Sequence, residues 1–291
     1  MSAEAARSAW RACGAAAVAW LLASGWAAPV AAQGAAVSAS PGSAVSAPQA
    51  AATSTATPRQ RRSGFDFMGP ATQAMQRDDD RNPGMLWVQD GEVSWNRQPG
   101  NGGKACVACH AAAQRSMAGV AARYPAFDAT SARPVTLGQR IDLCRQRHQG
   151  LRALASEDDV LLGLEAFVAH QSRGLPIAPP PDPRLAPFTA QGRTLFVQRM
   201  GQLNLSCSNC HDDNAGHRLG GSPIPEGHAT GYPIYRLEWQ ALGSLQRRLR
   251  SCLSGVRAEP FAAGAPEWVA LELYLAQRAR GMPLETPAVR P

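Results

Sequence analysis

Apolar residues recur at three- and four-residue steps in two stretches of the chain, around Leu151–His170 and Glu267–Arg280. This spacing predicts a helix with one buried face in each stretch. A Gly-x-Pro sequence follows both stretches, at 174–176 and at 281–283, and is typical of the point where a helix ends. Alternation typical of strands is scarce, so we predict an all-α fold with low β content.

The longest N-terminal apolar run, Ala12–Leu22, follows Arg7 and Arg11 and precedes the small residues Val30-Ala31-Ala32. This order is typical of a secretory signal peptide, which we predict over residues 1–32. The run is shorter than the ~20 residues of a membrane span, so we predict a periplasmic protein with no span in its mature form. A retained N-terminal anchor is the alternative.

Composition separates the next segment from the rest of the chain. Residues 33–63 are rich in Ala, Ser, Pro and Thr, and we predict a flexible segment because so little large apolar surface offsets the ordering entropy.

The whole chain has 29 basic and 22 acidic residues, and Lys104 is its single lysine. No basic tract alternates with aromatic residues, so we expect no nucleic-acid binding. A solvated basic surface and a preference for anionic substrates or acidic partners both remain open.

Two Cys-x-x-Cys-His motifs occur, at 106–110 and 207–211. Two thiols on one helical turn can add to the two vinyl groups of one porphyrin, and the following histidine can bind its iron. Three alternatives are weaker. A zinc site would need two more ligands near each motif, a thioredoxin-like redox pair would need a βαβ context, and a disulfide leaves the repeated histidine unexplained. We predict two covalently bound haem c groups, attached through Cys106 and Cys109 and through Cys207 and Cys210, with His110 and His211 as iron ligands.

Further segments repeat around the two motifs, at offsets of 101 to 109 residues. The matching pairs are Leu86–Gln89 with Leu195–Gln198, Leu164–Phe167 with Leu271–Tyr274, and Arg173–Pro176 with Arg280–Pro283. We therefore predict two tandem cytochrome c-like haem domains related by internal duplication, at 64–178 (the first half) and 179–291 (the second half). The Pro-rich stretch Pro176–Pro187 is the predicted linker.

Two further cysteines, Cys144 and Cys252, occupy the same place in each repeat, each four residues after an arginine, Arg140 or Arg248. A disulfide between them is one interpretation, but equivalent positions in two domains should each lie near their own haem. We favour the other, in which each thiolate is the sixth ligand of its haem iron. Such a ligand lowers the reduction potential and favours sulfur chemistry over simple electron transport. The competing ligands are Met117, Met200, His148, His217 and His228.

On these features the chain resembles SoxA, the dihaem subunit family of the periplasmic SoxAX cytochromes of thiosulfate oxidation. The resemblance runs from about Phe65 to the C-terminus and rests on the two motifs, the two placed cysteines and Arg248-Leu249-Arg250-Ser251-Cys252. It implies that Cys252 ligates the second haem and, as a persulfide, is the catalytic residue. It also implies that Arg248 binds substrate, with Arg247 and Arg250 as neighbours able to share the task.

The resemblance further implies an L-cysteine S-thiosulfotransferase, which joins thiosulfate oxidatively to a cysteine of a SoxYZ carrier and releases electrons through a SoxX-like cytochrome subunit. The first haem, held by His110 and Cys144, would then be structural. The principal alternative is a dihaem electron-transfer cytochrome without transferase activity, and a dihaem peroxidase is a further one.

Overall fold

The computed structural model describes residues 60–291, and helices form most of the regular structure in this part of the chain. The first half contains a two-stranded antiparallel sheet in addition to the helices that were predicted. Its elements are α1 (Pro70–Arg77), α2 (Gly84–Asn96), α3 (Cys106–His110), α4 (Ala113–Ser116), β1 (Ala126–Asp128), β2 (Arg133–Val135), α5 (Leu137–Gln149) and α6 (Asp159–His170).

The second half repeats most of this order. Its elements are α7 (Ala186–Val197), α8 (Cys207–His211), β3 (Arg218–Leu219), β4 (Ser222–Pro223), β5 (Ile234–Arg236), β6 (Ala241–Gly243), α9 (Leu245–Gly255), α10 (Pro266–Arg278) and β7 (Ala288–Arg290). Helices α7 to α10 correspond in order to α2, α3, α5 and α6, and the pair β5–β6 corresponds to β1–β2. The strands are two or three residues long, so β content is low, but within residues 60–291 three small sheets accompany the helices.

The small sheets have simple registers. In the first half Ala126 pairs with Val135, and in the second half Ile234 pairs with Gly243, both antiparallel. Strand β7 joins the other edge of β5 in parallel, so β5 is the central strand of the order β6-β5-β7.

Each half is built on one pair of closely packed helices, α2 with α6 and α7 with α10. A Cβ at Gly91 on α2 would overlap the carbonyl oxygen of Gly163 on α6. At the equivalent crossing, a Cβ at Gly192 on α7 would overlap the carbonyl oxygen of Ala270. The buried aromatic residues Phe167 and Trp268 lie on α6 and α10, so the helices predicted from periodicity carry the two cores.

The repeated segments after α6 and α10 bind each other. The Gly174 amide donates to the Leu284 carbonyl and the Gly281 amide donates to the Ile177 carbonyl, both at 2.8 Å. Pro176 and Pro283 face each other at the centre of this pairing. The start of the predicted Pro-rich linker therefore belongs to the contact between the halves, where Ile177 is buried.

Two predictions fall wholly or mostly on residues 1–59, outside the described part: the signal peptide at 1–32 and the flexible segment at 33–63. At the end of that segment, the Arg61 guanidinium donates to the Arg278 and Arg280 carbonyls at 2.7 Å, and Ser63 is buried. Arg61 and Ser63 therefore belong to the folded part of the chain. Within residues 60–291, no helix is long and apolar enough to cross a membrane.

Helix α6 begins at Asp159, later than the predicted start at Leu151. Asp158 ends the preceding loop, because its side chain accepts a hydrogen bond from the Val160 amide at 2.9 Å and caps the helix. Residues 151–158 therefore form a loop between α5 and α6.

Candidate functional site

The second Cys-x-x-Cys-His motif forms the short helix α8. Ser206 caps this helix, with its hydroxyl accepting from the Asn209 amide and the Asn209 side chain accepting from the Ser206 amide. The Nδ1 atom of His211 lies 2.8 Å from the Pro225 carbonyl oxygen. This contact directs Nδ1–H to the main chain and leaves Nε2 as the nitrogen available to a metal.

Cys252 faces this histidine from the second turn of α9. The Cys252 side chain is partly buried, and its thiol lies within hydrogen-bond reach of the His211 imidazole. Burial raises the pKa of Cys252, but the contact with His211 and the charges of Arg248 and Arg236 outweigh burial, so the pKa is lowered overall. Burial and the nearby Cys252 also raise the pKa of Cys207, to about 11, so the cysteines of the motif lie beside Cys252.

The first half places Cys144 in the same relation to its own motif. Burial and the neighbouring Cys109 raise the pKa of Cys144, whereas the charges of Arg140 and Arg147 act in the opposite direction without reversing the shift. The His110 ring lies 5.6 Å from the ring of Trp95, centroid to centroid. The two cysteine sites are therefore similar in placement but differ in electrostatics.

All six cysteines of the described chain are free thiols, and Cys144 and Cys252 each lie with the motif of their own half. The competing ligands have other surroundings. His148 is exposed on α5, His217 is exposed beside Asn214, and His228 is held by the Arg62 carbonyl oxygen at 2.8 Å. Met117 and Met200 pack against the apolar cores of the first and second half.

The equivalent arginines Arg140 and Arg248 have different partners. Arg140 forms an ion pair with Asp128 at 2.7 Å, and Arg147 binds the same carboxylate at 2.8 Å. These contacts hold the pKa of Asp128 far below its usual range. In contrast, the Arg248 side chain forms no hydrogen bond and no ion pair with any described residue.

The position of Asp128 at the end of β1 is occupied by Arg236 at the end of β5. The Arg236 side chain is mostly buried and pairs with Glu238 on the surface at 2.7 Å, while Nε donates to the main-chain oxygen of Pro291 at 2.8 Å. Burial and the charge of Arg248 lower the pKa of Arg236. Of the two cations near Cys252, only Arg236 is paired with a carboxylate among the described residues, and the arrangement favours an anion.

The other two arginines of α9 lie on aromatic rings. The Arg247 guanidinium is 4.1 Å from the centre of the Trp239 ring, which Arg236 also approaches at 5.0 Å. The Arg250 guanidinium lies 5.9 Å from the ring of Trp268. These contacts direct both side chains to indole rings, and Trp239 links β5 to the helix that carries Cys252.

The donor set of each half fits haem c. In each half two thiols lie on one turn, followed by a histidine, and a further thiol on another helix lies beside the motif. In the second half that further thiol, Cys252, faces His211. Imidazole and thiolate are both iron ligands of haem proteins. Within residues 60–291 no group of three or more His, Cys, Asp or Glu side chains is arranged to hold a free metal ion.

Comparison with known proteins agrees with this arrangement. The family model described as SoxA/TsdA, cytochrome c domain, matches residues 90–177 and again 191–284. The chain belongs to the SoxA family. The L-cysteine S-thiosulfotransferase subunit SoxA of Rhodovulum sulfidophilum is 36% identical over 79% of this chain and 80% of its own length. The SoxA subunit of Pseudaminobacter salicylatoxidans is 37% identical over 78% and 80%.

A solved structure extends the likeness to the fold. The crystal structure of SoxXA from P. pantotrophus superposes with a TM-score of 0.76, at 33% identity, over 79% of this chain and 87% of that one. Membership in a cytochrome c domain family implies covalently bound haem c in this SoxA-family chain. The same family match accounts for the two Cys-x-x-Cys-His motifs that the sequence presented.

Sequence reasoning missed Arg236. The residue is one of many arginines, and no motif distinguishes it. An alignment of β1–β2 with β5–β6 would have matched Arg236 with Asp128 as equivalent positions of the two repeats. Those strands are too short to be detected by alternation.

Proposed function

We propose that this SoxA-family protein is a periplasmic dihaem c-type cytochrome that joins thiosulfate oxidatively to a cysteine of a SoxYZ-like carrier. The reactive sulfur is on Cys252, as thiolate or persulfide, and Arg248 binds the substrate. The observation that carries the proposal is the Arg248 side chain, which lies beside Cys252 without any ion-pair partner among the described residues. Its counterpart Arg140 is paired with Asp128.

Arg248 and Arg236 suit a dianion. A guanidinium offers a planar fork of donors to the oxygens of a sulfonate group, and charge assistance strengthens these bonds. Binding by the oxygens would leave the sulfane sulfur directed toward Cys252. A cationic setting also favours the thiolate form, which is the reactive form of cysteine.

The chemistry requires the loss of two electrons. The sulfane sulfur of thiosulfate and the sulfur of Cys252 form an S–S bond as two electrons leave for a SoxX-like cytochrome partner. The carrier thiolate then attacks the sulfane sulfur, and the Cys252 sulfur departs as an anion. The carrier is left with an S–S–SO₃⁻ group. A haem held by Cys207, Cys210 and His211 would supply one-electron redox chemistry beside Cys252.

We assign haem attachment to Cys106 and Cys109 in the first half and to Cys207 and Cys210 in the second. The axial ligands would be His110 with Cys144 and His211 with Cys252. We further propose that the halves, 64–178 and 179–291, arose by duplication and that the second carries the active site. Support comes from the repeated element order, the two family-model segments and the reciprocal pairing at Pro176 and Pro283. Export by the signal peptide at 1–32 remains a prediction.

The decisive experiment uses the purified holoprotein with a cytochrome partner, thiosulfate, a SoxYZ carrier and an electron acceptor. Mass spectrometry of the carrier should show the mass of one thiosulfate group added to its cysteine. The Cys252→Ala variant should give no conjugate while both haems stay attached. Full conjugation by that variant, or electron transfer without conjugation by the wild type, would contradict the proposal and favour an electron-transfer cytochrome.

A further inference from the structure

Helix α9, which carries Arg248 and Cys252, begins at a capped serine. Ser244 precedes the helix, and its hydroxyl accepts a hydrogen bond from the Arg247 amide at 3.1 Å. This bond satisfies one of the amides that a helix start leaves free. The position and direction of the first turn, and of Arg248 within it, depend on this cap.

The equivalent helix of the first half closes its cap locally. The Thr136 hydroxyl accepts from the Gln139 amide at 3.2 Å, and the Gln139 side chain accepts from the Thr136 amide at 3.1 Å. This reciprocal pair is a capping box, in which the third helical residue returns an acceptor to the cap.

The second half cannot close the box in the same way. Arg247 stands where α5 has Gln139, and a guanidinium has only donors. The missing acceptor comes from Glu157 of the first half. Its carboxylate accepts from the Ser244 amide at 3.3 Å and also from the Ser244 hydroxyl. A carboxylate at this end of α9 also interacts favourably with the positive end of the helix dipole.

The loop that carries Glu157 is held by the first half. The Leu154 amide donates to the Asp142 carboxylate at 3.2 Å, and Asp142 is paired with Arg145 at 2.9 Å on α5. Asp158, the next residue, caps α6. Glu157 is therefore fixed from both sides by helices of the first half, and it reaches across to the helix of the second.

We propose that Glu157 completes the capping box of α9 from the other half, and that the first half thereby holds Arg248 and Cys252 in position. Glu157 touches neither substrate nor haem ligand, so it is a positioning residue that acts through Ser244. The meaning for catalysis rests on the proposed function, whereas the capping contact stands apart from it. Through this contact the first half supports the second site structurally, and this role does not depend on electron transfer by the first half.

Hydrogen exchange of the holoprotein tests the contact directly. In Glu157→Ala, the amides of Arg247 and Arg248 should exchange about 5- to 10-fold faster, as expected for a lost cap. Exchange in α10 should stay unchanged. Gln139→Ala is the matched control, because it removes the corresponding acceptor from α5 and should speed exchange there but not in α9. Unchanged exchange at Arg247 and Arg248, or an equal rise throughout the second half, would overturn the proposal.

A rescue variant separates capping from general destabilisation. Arg247→Gln places the residue of the first half at the third position of α9, so it should close the box within the second half. Glu157→Ala made in that background should speed exchange at Arg248 by no more than about two-fold. If Glu157→Ala still speeds exchange by about 5- to 10-fold in the Arg247→Gln background, the proposal is contradicted. Glu157 would then act on α9 by some route other than completing its capping box.

Activity provides a separate measurement. Relative to the wild type, Glu157→Ala should raise the KM for thiosulfate several-fold with a smaller change in kcat, because Arg248 loses its position. Electron paramagnetic resonance should show heterogeneity at the second haem alone. A wild type without conjugation activity would contradict the proposed function only, and the exchange and rescue measurements would still decide the capping role.

Discussion

Asp128 and Arg236 occupy equivalent strand positions in the two halves and give the neighbouring arginines opposite surroundings. In the first half Asp128 pairs with Arg140, with 2.7 Å between Nη1 and Oδ1, and also with Arg147. In the second half Arg236 stands in place of that carboxylate near Arg248 and Cys252, and Arg248 has no ion-pair partner among the described residues. The two sites thus share the placement of their cysteines and helices but differ in whether the equivalent arginine is paired.

We expect Arg236→Asp to impair thiosulfate binding. The new carboxylate would pair with Arg248, as Asp128 pairs with Arg140, and would repel a dianion. Loss of a charge-assisted contact corresponds to a rise in KM of about ten-fold or more. Steady-state kinetics with varied thiosulfate measures the change. Arg193→Asp, on the exposed surface of α7, alters net charge equally and should leave KM unchanged. Equal effects of both variants would assign the change to overall charge.

We expect Cys144→Ala to retain conjugation activity. Cys144 belongs to the first site, where Arg140 and Arg147 are already paired with the Asp128 carboxylate and so are not free to bind an anion. The variant should lose the thiolate-ligated low-spin signal of one haem in electron paramagnetic resonance and keep the other. Carrier conjugation should stay within about two-fold of the wild type, whereas Cys252→Ala should lose it. A loss of activity in Cys144→Ala with both haems attached would assign a catalytic role to the first site.

We expect stability to fall as pH rises, in part through two glutamates between the halves. Glu165 and Glu272 line a cavity of about 410 Å³. Burial, together with the charge of nearby Glu157, raises the pKa of Glu165 to about 7 and that of Glu272 to about 8. Because the folded pKa values exceed the ordinary 4.5, their contribution is complete below pH 4.5 and is lost as pH rises through 7 to 8.

The variant Glu272→Gln isolates this effect. The free energy of unfolding of this variant should fall less steeply with pH. Between pH 5 and pH 8 the variant should lose about 1–2 kcal/mol less than the wild type. Its amide can still accept from the Gln246 side chain, which now donates to Glu272 at 2.9 Å. Urea unfolding at both pH values measures the difference, and Glu92→Gln on the exposed face of α2 is the control. Parallel pH curves for Glu272→Gln and the wild type would refute the expectation.

We expect Gly192→Ala to destabilise the second half. Glycine to alanine within an exposed helix normally stabilises by about 1 kcal/mol, but here the new methyl group would overlap the Ala270 carbonyl oxygen. Forcing the helices apart should cost about 1–3 kcal/mol in the free energy of unfolding. Urea unfolding measures it, with Gly100→Ala as the control because a Cβ there meets no atom within 4 Å. A neutral or stabilising Gly192→Ala would show that α7 and α10 separate at no cost.

The helices most accessible to prediction were those with clear periodicity. The second long helix was expected at Glu267–Arg280 and lies at Pro266–Arg278. The first was placed too early, because the loop at 151–158 also contains apolar residues, while the Asp158 cap sets the start of α6. The small sheets escaped detection because three residues are too few for alternation to stand out.

The sequence by itself determined which chemistry this protein carries. The two Cys-x-x-Cys-His motifs are local patterns, in which the spacing of residues along the chain already reflects haem attachment. The matching places of Cys144 and Cys252 in the two repeats were also visible in the sequence. Tertiary structure alone decided how the two sites differ. Arg236 reaches the second site from a strand, and Glu157 reaches Ser244 from the other half. Such contacts join residues distant in the chain, so only packing, not sequence spacing, brings their charges and hydrogen bonds together.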